Sequence, residues 1–211
     1  MTDTIVRRHP ERADYEREAI DAILDEGLVG HLGFVAGEQP YVIPMLYARA
    51  GDTLYLHGAP ASRLLGTLAD GAQFCLTVTL LDGLVLARSA FRHSLNYRSV
   101  VVLGEGRAVT DRAEKLSALE ALVEHVLPGR SADARAPSDA ELKVTDVIAL
   151  GLEYASAKVR SGPPIDNRPD LCLPVWAGEL PLAMAVGDPI PDPKCSVPEP
   201  AQLRSYRRGL R

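Results

Sequence analysis

Apolar positions change period along the chain, and the changes mark its elements. From Glu11 to Glu26 the residues Ala13, Ile20, Ile23 and Leu24 recur at helical spacing and Gly27 stops them, which predicts a surface helix leading into the domain. Aliphatic and aromatic runs follow at Leu28 to Val35 and Tyr41 to Ala48, separated by the hairpin signal Gly37-Glu38, and Gly51-Asp52 turns the chain into Thr53 to His57. Three strands so close together predict an antiparallel meander rather than alternating strands and helices. Pro60 then suits a helix's first turn, with Leu64, Leu65 and Leu68 at helical spacing behind it. Strand-like runs resume at Phe74 to Leu81 and Leu84 to Arg88, joined at Asp82-Gly83, and again at Ser99 to Val109. Asp111 is placed to cap a helix that ends near Val126, before Pro128-Gly129. A shorter helix is predicted over Asp139 to Lys143, and a last strand over Val147 to Glu153. The pattern predicts a mainly β domain with added α-helices over 1–180. The tail, 181–211, is rich in proline and reads as extended or mobile.

Charge and composition narrow the function classes. A net charge of −5, from 28 acidic and 23 basic residues, disfavours broad binding to nucleic acid or anionic membrane. Arg204, Arg207, Arg208 and Arg211 make the tail locally basic, either a contact for an acidic partner or a solvated terminus. Cys75, Cys172 and Cys195 have no CxxC spacing, so neither a zinc site nor a disulfide framework is indicated and a cytoplasmic location is expected. The first residues are too polar for a signal peptide, and no run approaches the roughly 18 apolar residues of a membrane helix. Dinucleotide-fold, P-loop, α/β-hydrolase and zincin motifs are absent.

Four segments carry candidate chemistry. At the junction from Tyr55 to Leu64, a helix start brings Gly58, Ser62 and Arg63 together, a set suited to a phosphate; a capping serine beside a surface arginine is the plainer alternative. His57, at the end of the preceding strand, is a candidate proton donor or a packed histidine. The segment Arg88 to Ser99 holds three arginines, a histidine, three serines and an asparagine, more polarity than a hairpin end requires, though charged loops are common. Lys158 and Arg160 alternate as on an extended edge, and Trp176 stands a short loop later, cations and an indole that suit a planar anion or simply close the domain's end.

Taken together, Pro40-Tyr41-Val42-Ile43-Pro44-Met45-Leu46-Tyr47, the run Leu54-Tyr55-Leu56-His57-Gly58 through Ser62-Arg63, and Asn96-Tyr97-Arg98-Ser99-Val100-Val101-Val102-Leu103-Gly104 resemble the pyridoxamine 5'-phosphate oxidase-related FMN-binding family, and within it the nitroimidazole-resistance-like branch. The resemblance spans roughly Arg7 to Pro181. It implies a six-stranded antiparallel split β-barrel that forms a homodimer with FMN in the groove between subunits. It implies that Ser62 and Arg63 bind the phosphate, and that Ile43, Pro44, Met45, Tyr47, Leu56, His57 and Gly58 flank the ring and ribityl chain. Tyr97, Arg98 and Ser99 are implied to reach the groove from the partner, with Lys158 and Trp176 matched more loosely. The arginine-rich C-terminal substrate segment of the pyridoxamine phosphate oxidases proper is missing, which puts that reaction in doubt. The expectation is an FMN-dependent reductase of a small planar electrophile such as a nitroaromatic or quinone-like compound, with NAD(P)H as a candidate electron donor and His57 as its catalytic residue. A non-catalytic flavin or pyridoxal phosphate binder and a haem-binding split-barrel relative are the alternatives, since fold does not choose among them.

Overall fold

A computed structural model describes residues 4–208. In chain order the elements are β1 (Ala13–Asp14), α1 (Arg17–Glu26), β2 (Val29–Ala36), β3 (Gln39–Leu46), β4 (Ala48–Ala50), β5 (Thr53–Gly58), α2 (Arg63–Ala69), β6 (Gln73–Leu86), β7 (Ser94–Ala108), α3 (Arg112–Val126), α4 (Arg130–Asp133), α5 (Asp139–Lys143), β8 (Asp146–Gly151), β9 (Tyr154–Arg160), β10 (Gly178–Pro181) and α6 (Ala201–Ser205). The strands run in the order β3-β2-β6-β7-β8-β5-β4, with β9 on β7, β1 on β9 and β10 on β6. All pairings are antiparallel. β3 and β4 are consecutive in the chain yet lie at opposite ends of that path, so the sheet curls without closing. This is the split barrel that the resemblance implies, a mainly β domain as the pattern predicts, with ten strands in the sheet where six were expected.

β7 makes the curl possible. Its first part pairs with β6 and β9 and its last residues, Gly106 to Ala108, pair with β8. Inward-pointing residues of β2, β3 and β5 to β9 meet in one core that includes Leu32, Leu54, Leu56, Leu76, Val100 and Leu150. α2 contributes Leu64, Leu65 and Leu68 to the same core, and α1 contributes Ile20, Ile23 and Leu24. Burial of this kind is the main stabilising term of such a domain, at about 25 cal/mol per Å² of apolar surface.

The outer faces of the barrel differ. On β5 the alternation that sends Leu54 and Leu56 inward sends Tyr55 and His57 outward, and α3 covers part of that side through Ala118 and Leu119 against Tyr55, Val147 and Ala149. Polar groups fix the helix: the Tyr55 hydroxyl donates to Glu114 (3.1 Å) and Arg107 reaches the same carboxylate (2.6 Å). On the β2-β3-β6-β7 side nothing among the described residues plays that part, and Val29, Val35, Val42 and Leu81 are exposed.

Three segments differ from the sequence expectation, the first being the helix expected from Glu11, which begins only at Arg17 while Ala13 pairs with Lys158 in β1. The runs predicted as a hairpin about Asp82-Gly83 form the single strand β6, with a bulge where the register shifts between Leu81 and Gly83. Asp82 is the extra residue, and its carboxylate binds Arg98 on the neighbouring strand (3.0 and 2.9 Å). Gly83 is needed there, because a Cβ would come within 3.0 Å of the Leu180 carbonyl on β10. The predicted final strand is also followed by a second, β9, which carries Lys158. Beyond β10 the chain is irregular up to α6, and Gln202 and Arg208 tie it back to Asp133 and to His125. Arg211, one of the four tail arginines, lies outside the described residues. No described helix is long and apolar enough to cross a membrane.

Candidate functional site

Two neighbouring regions hold most of the chemistry. The first is built where β3 passes α2. Ser62 has extended backbone angles and its hydroxyl accepts from the Leu65 N–H (3.5 Å), so it caps α2. Gly58 packs against α2: a Cβ there would come within 2.9 Å of the end of the Leu65 side chain. Arg63 is exposed. Its Nη1 donates to the Tyr41 hydroxyl (2.5 Å) and its guanidinium lies 4.9 Å from the centre of the Tyr41 ring. Tyr41 is itself stacked on the buried Phe34, with centroids 5.4 Å apart and planes 20° from parallel. Among the described residues no carboxylate pairs with Arg63, so its charge and its remaining donors stay available to an anion.

The second region is a cleft of about 780 Å³ between α3, the α4–α5 segment and the ends of β3 and β5. Leu46, Leu116, Leu119, Leu122, Val123 and Val126 make its walls apolar. α3 is apolar on more than one stripe: Ala118 and Leu122 are buried against the sheet, while Val123 and Val126 remain 37% and 44% exposed toward the opening. Arg130 and Arg135 stand at the rim, where Arg135 forms a two-point pair with Glu141 (2.7 and 2.9 Å). Among the described residues that line the cleft, His57 is the one imidazole. Its Nδ1 is buried and has no hydrogen-bond partner among the described residues, and burial pushes the ring's pKa below the usual histidine range. A neutral imidazole in an apolar recess is suited to ligating a metal-centred group or accepting a hydrogen bond, and a buried nitrogen without a partner is costly until something meets it.

Other candidates are distributed differently. Ile43 and Met45 point toward the core from β3, and Pro44 points outward on an edge strand that tolerates proline. Register puts Pro44, Tyr97, Ser99 and Lys158 on one outer face: Pro44 lies opposite His31, His31 opposite Thr77, Thr77 opposite Val101, and Ser99 opposite Lys158. That is the uncovered face, and no hydrogen bond or ion pair among the described residues joins Tyr97, Ser99 or Lys158 to Arg63 or His57. Lys158 donates to the Arg8 carbonyl (2.8 Å). Trp176 is 67% exposed, and its ring covers Gly178.

Three of the expected residues have side chains engaged within the chain itself. Tyr47 is fully buried and donates its hydroxyl to the Leu24 carbonyl (2.6 Å), with the Gly27 carbonyl at 3.1 Å, so it ties the junction of β3 and β4 to the end of α1. The Leu56 side chain lies wholly in the core. Arg98 is gripped by Glu26 and Asp82, which leaves it no net charge to offer a ligand. The polar segment it belongs to behaves likewise: Arg88 pairs with the buried Asp166 (2.8 Å) and Arg92 bonds Asn167 (2.5 Å). Sequence reasoning passed over Tyr41 and the apolar stripe of α3. The signals were present, an aromatic on the edge strand and leucines and valines recurring at 116, 119, 123 and 126.

The family model for pyridoxamine 5'-phosphate oxidase matches residues 16–159. Among solved structures, the flavocytochrome Anf3 from Azotobacter vinelandii is 39% identical, with 97% of this chain and 96% of that chain covered and a TM-score of 0.91. The FAD and heme binding protein from Mycobacterium smegmatis is 34% identical, with 95% and 99% covered and a TM-score of 0.90. A Bacteroides thetaiotaomicron protein assigned to 5-nitroimidazole antibiotic resistance is 25% identical over 70% of this chain and 86% of that one, with a TM-score of 0.59. No curated protein sequence matches. The extent of the family match and the two full-length likenesses place this chain in the pyridoxamine 5'-phosphate oxidase family, as a split-barrel member.

Proposed function

We propose that this protein is a homodimeric redox protein that holds a flavin nucleotide, FMN or FAD, at Arg63 and a haem in the cleft beneath α3. The observation that carries the reading is His57, whose buried nitrogen lacks a partner inside an apolar cleft with arginines at its rim. The donor set fits a tetrapyrrole. A flat apolar body suits leucine and valine walls, and an imidazole is the commonest protein ligand of haem iron, while Arg130 at the rim is only loosely paired with Asp133 (3.7 Å) and can exchange that partner for a haem carboxylate. The two relatives that match nearly the whole chain are named for flavin and haem together, which supports assigning both groups here.

When bound, a flavin accepts electrons in pairs and a haem carries them singly, so the two together connect two-electron and one-electron chemistry. The chain's own residues bind and shield. Arg63 offers donors to the phosphate, with Ser62 beside it holding α2 in place. The α3 leucines and valines exclude water from the cleft, and His57, kept neutral by burial, is ready to ligate without first losing a proton. Pro44, Tyr97, Ser99 and Lys158 share the uncovered face, where a second copy would bring them against its own flavin. Exposed Val29, Val35, Val42 and Leu81 supply the apolar part of such a two-fold interface, expected to bury more than about 2,000 Å².

A second reading keeps the flavin and puts a flat electrophile, a nitroaromatic or quinone-like compound, in the cleft, with NAD(P)H as donor and His57 as proton source. The nitroimidazole-resistance relative favours it. The depressed pKa of His57 weighs against it, because a proton donor must carry the proton at working pH. The deciding experiment is to denature the purified protein and identify what it releases by mass, alongside its absorption spectrum and its mass by light scattering. Flavin and haem together, on a dimer, support the first reading. Flavin alone, with NAD(P)H consumed in the presence of a nitroaromatic, supports the second, and release of neither overturns both.

A further inference from the structure

Most arginines in this protein that are held in place are held by carboxylates or carbonyls. Arg98 lies between Glu26 and Asp82, Arg88 sits on Asp166, and the buried Arg160 donates to Asn96 and to the carbonyls of Gly162 and Pro163. A carboxylate fixes a guanidinium but cancels its charge. Arg63 is held by a different kind of group. Its Nη1 donates to the Tyr41 hydroxyl (2.5 Å) and its plane lies near the Tyr41 ring, 4.9 Å from the centroid. Tyr41 in turn is stacked on Phe34, which is 5% exposed and part of the main core. A neutral phenol orients the cation without neutralising it, and the stack ties that orientation to the hydrophobic core.

This geometry bears on affinity through entropy. An exposed arginine samples many rotamers, and gripping an anion ordinarily removes that freedom at binding. Here the restriction is already built into the ligand-free chain. One N–H is engaged by Tyr41, and the other donors of the guanidinium fork remain open for two-point contact with a phosphate. Ser62 is engaged only as an acceptor, capping α2, so its O–H can add one neutral contact while the charged grip rests on Arg63.

We infer that Tyr41 is a positioning residue for the flavin phosphate: it holds Arg63 in the pose that grips the anion, and so sets the preference for FMN or FAD over riboflavin, which has no phosphate. The inference rests on the flavin reading above and adds to it a residue and a selectivity. Tyr41→Phe keeps the stack and removes the hydroxyl, whereas Tyr41→Leu removes both and keeps an apolar contact with the core.

The test is to strip flavin from the full-length protein and titrate riboflavin and FMN by flavin fluorescence in wild type, Tyr41→Phe, Tyr41→Leu and Arg63→Ala, each first checked for an unchanged far-ultraviolet spectrum. The quantity read is the ratio of the riboflavin to the FMN dissociation constant. In wild type it should be about 30-fold or more, the value of a charge-assisted contact. It should fall about threefold in Tyr41→Phe, and most of the way to the Arg63→Ala value in Tyr41→Leu, with riboflavin affinity unchanged throughout. An Arg63→Ala protein with the full wild-type ratio overturns the phosphate assignment itself. A collapsed ratio in Arg63→Ala beside a wild-type ratio in Tyr41→Leu overturns only the role of Tyr41. Equal weakening of riboflavin and FMN in Tyr41→Leu also overturns it, because that is the mark of a damaged pocket rather than a misplaced cation.

Discussion

The grip around Arg63 and the cleft around His57 lie a few residues apart in sequence and solve opposite electrostatic problems. Arg63 is exposed, permanently charged, and held by a neutral tyrosine so that its charge stays available. His57 is half-buried, uncharged by burial, and surrounded by leucine and valine so that its lone pair stays available. One region is suited to an anion that arrives with its own solvation. The other is suited to a flat apolar body that displaces water. The difference follows from which way β5 and the start of α2 turn their side chains: His57 points outward beneath α3, and Arg63 emerges just beyond Ser62, where the chain leaves the sheet.

The comparison is broken most sharply at the cleft. His57→Ala should weaken haem retention by more than about 100-fold, since loss of a metal-ligating imidazole exceeds the 10- to 100-fold typical of losing its supporting partner. The Soret band of the purified protein should disappear while the flavin band remains. Loss of both bands together would show that the two regions are one site. Arg63→Ala is the reciprocal cut. It should cost about 2 to 3 kcal/mol of FMN affinity and leave the Soret band in place, as read by titration of the stripped protein.

Much of this contrast was legible in the chain before folding. His57 already stood at the end of a predicted strand beside the candidate anion site, and Pro60 and the three leucines already marked the start of α2. The availability of each cation was not legible, because it depends on partners distant in sequence. Arg88, Arg92 and Arg98 read as a ligand-facing cluster, yet Asp166, Asn167, Glu26 and Asp82 engage them from segments that only the fold brings near. Tyr47 read as a cofactor contact for the same reason, since nothing local reveals that its hydroxyl meets carbonyls at the end of α1. The cleft was half legible. α3 carries apolar residues on more than the single stripe that packing on the sheet requires, and the surplus lines the opening.

A smaller effect distinguishes the cap from the grip. Ser62→Ala should cost about 1 kcal/mol of folding stability through the lost cap, measured by urea denaturation of the flavin-free protein. Its effect on the riboflavin-to-FMN ratio should be slight. A large change in that ratio with little change in stability would move Ser62 from the cap to the phosphate.

The smallest effect is the pH dependence, and it falls on one region only. Burial lowers the pKa of His57 below the ordinary 6.5, so the unfolded chain binds a proton more readily than the folded one. Folding stability is therefore fully present above that value and declines as pH falls below it, until the folded ring also takes its proton. His125 acts in the same direction, because burial and then the Arg208 guanidinium lower its pKa, against the opposing hydrogen bond with the Gly27 carbonyl. Carboxylates contribute in a separate window. Glu141, drawn down to about 2 by Arg135 and Ser138, loses its contribution only below its ordinary 4.5. Urea midpoints of flavin- and haem-free protein between about pH 7.5 and 5 should thus fall for wild type and fall less for His57→Phe, which keeps the cleft apolar and removes the titrating ring. Arg63→Ala should run parallel to wild type across this range, as its guanidinium stays charged throughout. Parallel curves for wild type and His57→Phe would mean that the imidazole is not held neutral by the cleft, and the contrast between the two regions would then rest on the arginine alone.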